Sequence, residues 1–301
     1  MNKLIVGSLI LILLVAGCSN LPFDIPFFSS GGTQVKEMPP DVISIQNITV
    51  IPSTSVREKD QFSVYFDLMN QDEFNEVDTS YSIYDTGLCT WTGGDPKTDS
   101  ISLYPQEIKS VEWNFNAPSA DEIAHLRVTC PIRFKFNFPY QSKSQVDVLV
   151  ANSNYLTQLQ QAGKSTTFSP TVNVGRGPIK VYFDFGTTLP ARDNSNLTVY
   201  VRAEDKGSGM LKTIDKENFT INFQGFNVSS GNDNTCPYFN CIGTVCTNYQ
   251  AIPIINGKTL DIRCSNIKTP GVDTEKTYFI NATLNYDYYV TGEVDVEVKP
   301  E

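Results

Sequence analysis

A single histidine, His125, serves the whole chain of 301 residues, which leaves Ser-His and Cys-His nucleophile systems one candidate base. Alternation in AHLRVTCPIRFKFNFPY puts that histidine beside Arg127 and Thr129 on the polar face of a strand, the usual setting of a solvated side chain. Close CxxC pairs are missing: Cys236, Cys241 and Cys246 follow a C-x4-C-x4-C spacing, so disulfides are favoured over a four-thiolate zinc site. Gly175-Arg176-Gly177 lacks the lysine of a phosphate loop and opens a strand rather than a helix, so no nucleotide site is expected. Positive charge is short as well. The 23 Lys and Arg against 33 Asp and Glu give a net charge of -10, and a pI near 4.7 makes nucleic acid and anionic lipid surfaces poor partners. The acidic residues are scattered, so no carboxylate pair is assigned to glycoside hydrolysis. The Asp-rich turns 193–196 and 231–234 lack the regular ligand spacing of a calcium loop. The expectation is a protein that is not an enzyme, with no catalytic residue, no metal and no cofactor.

What is present begins with the first twenty residues, MNKLIVGSLILILLVAGCSN. Lys3 gives a positive start, Leu4 to Ala16 carry no charge, and Val15-Ala16-Gly17 place slim residues before Cys18, the pattern of a signal peptide too short to span a bilayer stably. The Leu14-Val15-Ala16-Gly17-Cys18 junction resembles the prokaryotic lipobox. That resemblance implies cleavage after residue 17 and a lipid on Cys18, which would hold the protein on the outer, extracellular face of the cell membrane. An uncleaved N-terminal anchor helix is the alternative. Residues 18–40 are rich in Pro and Gly without helical or alternating period, and are expected to form a flexible tether. Phe23, Phe27 and Phe28 either dip into the headgroup region or pack on the first domain.

Six cysteines remain after Cys18, an even number that in an exported chain implies disulfides. Cys89 and Cys130 pair within the first unit, closing a loop of about forty residues for a stabilisation on the order of 3–4 kcal/mol. The other four, Cys236, Cys241, Cys246 and Cys264, allow three connectivities, of which Cys236 with Cys241 and Cys246 with Cys264 is preferred. Asn-x-Ser/Thr triplets at Asn47, Asn196, Asn218, Asn227 and Asn281 permit glycosylation, although a chain rich in these residues acquires such triplets by chance.

The body reads as all-β. Period-two alternation runs through QFSVYFDL, VDTSYSI, the 124–140 stretch and SQVDVLV (145–150 at its core), then returns in IKVYFDF, NLTVYVRAED and ENFTINFQGF. Between them NSNYLTQLQQAG has Tyr155, Leu156 and Leu159 at helical spacing, capping candidates at 152–154 and Gly163 as a stop, predicting a short connecting helix. Asn256-Gly257 marks a hairpin. Residues 131–150 also align without gaps on 279–298, matching Ile132 with Ile280, Tyr140 with Tyr288 and Val146-Asp147-Val148 with Val294-Asp295-Val296, the mark of a duplicated domain. Tyr238 and Phe239 on a cysteine-bounded loop, and Tyr286, Tyr288 and Tyr289 beside a strand turn, are either recognition aromatics or core.

Both units resemble immunoglobulin-like sandwiches, and QFSVYFDLMNQDEFNEVDTSYSIYD (61–85) is similar to the bacterial and archaeal cell-adhesion-related domains of that superfold, with Asn70 ending a strand and Gln71-Asp72-Glu73 where the family has a turn glycine. The resemblance implies two tandem immunoglobulin-like β-sandwiches, at 41–150 and 169–301, joined by a 151–168 linker with its helix. The expected function is non-catalytic: a lipid-anchored surface protein of adhesion or envelope assembly, whose partners are the membrane through the Cys18 lipid and another surface protein or glycan. Carbohydrate or solute binding is the alternative, and a hydrolase with a converging carboxylate pair is a third reading.

Overall fold

The computed structural model describes residues 34–229, 231–232 and 235–301. The leader, Cys18, Phe23, Phe27 and Phe28 lie outside the described residues. Alternating apolar and polar side chains build β1 (Gln34–Glu37), β2 (Ile43–Ile51), β3 (Ser55–Arg57), β4 (Gln61–Asn70), β5 (Val77–Asp85), β6 (Thr90–Gly94), β7 (Thr98–Leu103), β8 (Ile108–Asn116) and the long β9 (Val128–Ala151). After the helix α1 (Ser153–Gln161) come β10 (Thr171–Val174), β11 (Ile179–Phe185), β12 (Ala191–Arg192), β13 (Asn196–Asp205), β14 (Thr213–Ile214), β15 (Phe219–Gln224), β16 (Asn227–Val228), β17 (Gly231–Asn232), β18 (Phe239–Ile242), β19 (Val245–Asn248), β20 (Ile252–Pro253), β21 (Ile262–Lys268) and the long β22 (Glu275–Lys299). β1 corrects the tether boundary, because residues 34–37 pair in parallel with β10.

The organising feature is a two-stranded antiparallel ribbon. β9 and β22 pair in unbroken register from Glu275 with Ala151 to Val298 with Val128. Two four-stranded sheets, β2-β4-β8-β6 and β11-β13-β21-β16, each cover part of it. Even-numbered residues from Cys130 to Phe138 and from Ser142 to Val150 are all buried, so both small sheets lie on the same face of the ribbon. On its flanks, β5 joins β9 in the first half, and β15 joins β22 in the second. β3 lies parallel on β22, as β12 lies parallel on β9.

These correspondences are a two-fold relation between halves. The sequence repeat has an offset of 148 residues (279 less 131), and the paired residues Pro139 and Asp287 are themselves 148 apart (287 less 139), which puts the pseudo-dyad beside that pair. Tyr140 therefore maps onto Tyr288, and Val148 onto Val296. The duplication read from sequence is consistent with this symmetry, but the tandem boundary is corrected. Residues 288–299, assigned to the second sandwich, complete the first half against residues 128–138, and residues 140–151 complete the second. The chain keeps straight where a hairpin would have returned it, so the halves exchange their last strands. Tyr286, Tyr288 and Tyr289 consequently lie mid-strand, with no turn beside them.

α1 forms where its spacing predicts, capped by the Asn152 side chain accepting from Asn154 N, with Gly163 at φ +68° beyond it. It links β9 to β10 inside the second half rather than joining two sandwiches: Asn152 N donates to Thr274 O. Asn256 and Gly257 both take positive φ (53° and 76°) in the expected hairpin. His125 is displaced from its strand, for β9 starts at Val128 and His125 sits in the preceding turn at φ 57°.

In the first half the core is aromatic: Phe66 stacks on Phe134 at 4.6 Å across the sheets and touches Trp113 at 4.8 Å. In the second half Val181, Val199 and Val201 are buried in the core together with Phe219, Phe223 and Phe239. The Cys89–Cys130 disulfide is formed as expected. The other two pairings are corrected to Cys236–Cys264 and Cys241–Cys246. The reason is local: the β18–β19 hairpin, turning at Gly243 (φ +62°), sets Cys241 directly opposite Cys246.

Candidate functional site

Where the halves meet, two Tyr-Asp pairs answer each other across the pseudo-dyad. Tyr140 donates to Asp72 Oδ2 at 2.7 Å, and Tyr288 donates to Asp205 Oδ1 at 2.8 Å. Each aspartate sits just beyond or at the end of an equivalent strand, β4 or β13, and gathers the loop that follows. Asp72 accepts from the amides of Phe74 and Asn75, and Asp205 from those of Gly207 and Leu211. The environments differ. Burial opposes ionisation of Asp72, but bonds from Tyr140, Phe74 and Asn75 outweigh it and hold the carboxyl below its ordinary range. At Asp205 burial wins over its hydrogen bonds and raises the pKa. Both tyrosine hydroxyls are pushed up, by burial and by the adjoining carboxylate.

Behind these pairs Lys180 is buried, and its Nζ donates to Met38 O (2.6 Å), Gly175 O (2.8 Å) and Pro39 O (3.3 Å). Three carbonyls match three ammonium protons, so Lys180 clips the segment leaving β1 to the turn after β10. Burial lowers its pKa to about 8. The Gly175-Arg176-Gly177 turn has a steric origin. A Cβ at Gly175 would lie 2.7 Å from Lys143 O, and one at Gly177, whose φ is +124°, would lie 2.7 Å from the Tyr140 ring. Arg176 leans from this turn into the first half, donating through Nη1 to Gln71 O at 2.6 Å.

The result is an open groove along the β9 side of the ribbon. One part, of about 510 Å³, is bounded by Phe74, Asn75, Tyr140, Gln141, Lys143 and Arg176. A second, of about 500 Å³, shares Met38, Lys143 and Gly175 with the first and continues over Gln145, Asn173, Asn281 and Thr283. Its lining mixes amides, hydroxyls and charges of both signs with apolar Met38, Val77, Pro139, Val174 and Ala282, and Phe74, 75% exposed, stands at one end. It offers hydrogen bonds and an apolar platform.

The remaining sequence candidates lie elsewhere. His125 is at the far end of the first half, next to the strand start that pairs with Val298. Asp193, in one Asp-rich turn, accepts from Ser153 N and Asn152 Nδ2, tying down α1. The 231–234 turn lies partly outside the described residues. Sulfurs of Cys236, Cys241 and Cys246 fall within 4.8 Å of one another, and each is bonded in a disulfide. Phe239 is buried against Phe219 at 5.2 Å, Tyr238 packs half-buried, and Tyr286 and Tyr288 are core. Asn47, Asn196 and Asn227 are exposed, while Asn218 and Asn281 are half-buried. Asn70 is fully buried, donating to the carbonyls of Asn75, Leu103 and Tyr104.

Sequence reasoning named Tyr140 and Tyr288 as equivalent but missed their aspartates. No signal pairs the aspartates: QFSVYF (61–66) and NLTVYV (196–201) are alike, but carried on without gaps they set Asp205 against Asn70 rather than Asp72.

No protein-family model matches the chain, and no curated protein matches it. Among solved structures, it is similar to red sea bream transglutaminase at 11% identity and a TM-score of 0.21, over 86% of this chain and 31% of that one. It thus spans about a third of that protein's length.

Proposed function

We propose that the chain is a non-catalytic binding protein, lipid-anchored through Cys18 on the outer face of the cell membrane, and that it acts in adhesion or envelope assembly through two immunoglobulin-like sandwiches. The observation that carries this reading is the exchanged ribbon. Two halves tied by strands of 24 and 25 residues, each half stapled internally by its own disulfides, cannot hinge apart at a flexible linker, and a surface protein that transmits force between a membrane and a partner needs such a frame. Disulfides also suit an exported chain.

The test is chemical crosslinking on intact cells, recovery of the lipidated protein and mass spectrometry of what accompanies it. One dominant protein partner, crosslinked through exposed lysines such as Lys36 or Lys143, is the expected result. Recovery without any protein partner overturns the assembly reading and favours the second one, capture of a glycan or solute, for which the polar groove is the supporting observation.

A further inference from the structure

We infer that the groove along β9 is a binding site for a neutral oligosaccharide. The inference rests on the reading of the chain as a binding protein and gives the glycan alternative a site and a chemistry.

The register aligns its side chains. Asn281, Gln145 and Asn173 of the groove stand in one row across β22, β9 and β10, which Asn222 of β15 extends beyond it, and Thr283 and Lys143 stand in the next, which Thr220 and Thr247 extend across β15 and β19. Neighbouring members are one strand spacing apart, about 4.8 Å. They lie on the face opposite the buried residues, which the small sheets leave open. In a chain of 19% charged residues these eight positions include a single charge, Lys143. An amide offers both donor and acceptor, as a hydroxyl does, so such rows complement a ligand covered in hydroxyls. They offer none of the large apolar anchors on which a protein partner's affinity concentrates.

The other end supplies what hydroxyl contacts lack. Phe74, 75% exposed, and Met38, 42% exposed, present apolar surface to the C–H face of a sugar ring. Arg176 lines the wall, its guanidinium held by Gln71 O and Glu73. Charge decides the ligand's class. Lys36, Lys143 and Arg176 are interspersed with Glu37, Asp72, Glu76 and Asp78, and the protein carries -10 overall, so the groove has no field to gather a polyanion. Peptide addition by strand pairing requires an open sheet edge, whereas these rows lie on a sheet face.

The experiment is calorimetric titration and thermal shift with cellotetraose, mannotetraose and chitotetraose, and with a galacturonate tetramer as the charged control. The full chain is produced in a host without N-glycosylation, so that Asn281 is bare. At least one neutral tetrasaccharide binds at one site and raises the unfolding midpoint. Its affinity is unchanged between about 50 and about 500 mM salt. Phe74→Ala and Asn173→Ala, both at exposed positions, each weaken binding about tenfold, while Tyr104→Ala, 60% exposed and outside the groove, does not. Failure of all three neutral probes overturns the inference, as does binding of the galacturonate alone, or neutral binding indifferent to both groove variants. A protein partner found by crosslinking, with no glycan bound, would remove this site's ligand and leave the proposed function standing.

Discussion

Val296 tests the strand exchange directly. It is fully buried, faces Cys130 in register, and belongs in space to the first half although 166 residues separate it from Cys130 (296 less 130). Val296→Ala removes two carbon groups from a closed core, a transfer loss of about 1.6 kcal/mol at about 0.8 kcal/mol each. The unfilled cavity raises the cost to about 2 kcal/mol. That is about a thirty-fold change in an opening equilibrium and about 3 °C in the unfolding midpoint of a protein this size. Hydrogen exchange read by mass spectrometry supplies the location. The expected gain in local exchange falls on β4, β8 and the segment around Cys130, not on β13 or β21. Val148→Ala, the dyad-related change, gives the converse, with exchange rising in β11, β13 and β15. Faster exchange in β13 and β21 on Val296→Ala, with β4 and β8 spared, would refute the exchange and restore the tandem order.

The two aspartates answer pH with opposite signs. Asp72, held below its ordinary 3.8, contributes stability above that value and loses it as pH falls through its folded pKa. Asp205, raised above 3.8, contributes stability below that value and loses it as pH rises through its folded pKa. Calorimetry at about pH 3 and about pH 7 should therefore find Asp72→Asn more damaging at the higher pH and Asp205→Asn less so. For the disulfides, loop lengths of 41, 28 and 5 residues give stabilisations of about 4, about 3.6 and about 2 kcal/mol. Replacing Cys89 and Cys130 by Ser should thus lower the midpoint more than replacing Cys241 and Cys246, and non-reducing peptide mapping should recover Cys236 linked to Cys264. Lys180→Met leaves the carbonyls of Met38, Pro39 and Gly175 without their shared donor, so limited proteolysis should cut near residue 38 in the variant well before the native chain.

Local chemistry was legible wherever the sequence reports on its own neighbourhood. Alternation marked the strands, Asn152 and Gly163 bounded α1, and Asn256-Gly257 declared its hairpin. The Cys89–Cys130 pair followed from there being two cysteines in that stretch. Cys241 and Cys246 were misjudged because spacing was weighed without the turn between them: Cys-Ile-Gly-Thr-Val-Cys is a hairpin with a two-residue loop, which sets its cysteines face to face. The groove was illegible for another reason. Phe74, Arg176 and Asn173 come from three loops and strands that converge only after the ribbon has formed, and no spacing along the chain connects them.

The exchange itself left a trace in what is missing. A hairpin after Phe138 would need residues tolerant of positive φ, yet Pro139-Tyr140-Gln141 contains no Gly, Asn or Asp. None of the three has positive φ, and the parity of buried residues is the same before and after them. That continuity has a consequence for the groove. A hairpin there would return β9 into its own half, and the rows Asn222-Asn281-Gln145-Asn173 and Thr220-Thr283-Lys143 would lose β9, the strand that joins them. The straightened ribbon both interlocks the halves and lays out the polar face, so a variant that disturbs the pairing at Pro139 and Asp287 is expected to weaken stability and ligand capture together, whereas Phe74→Ala separates the two.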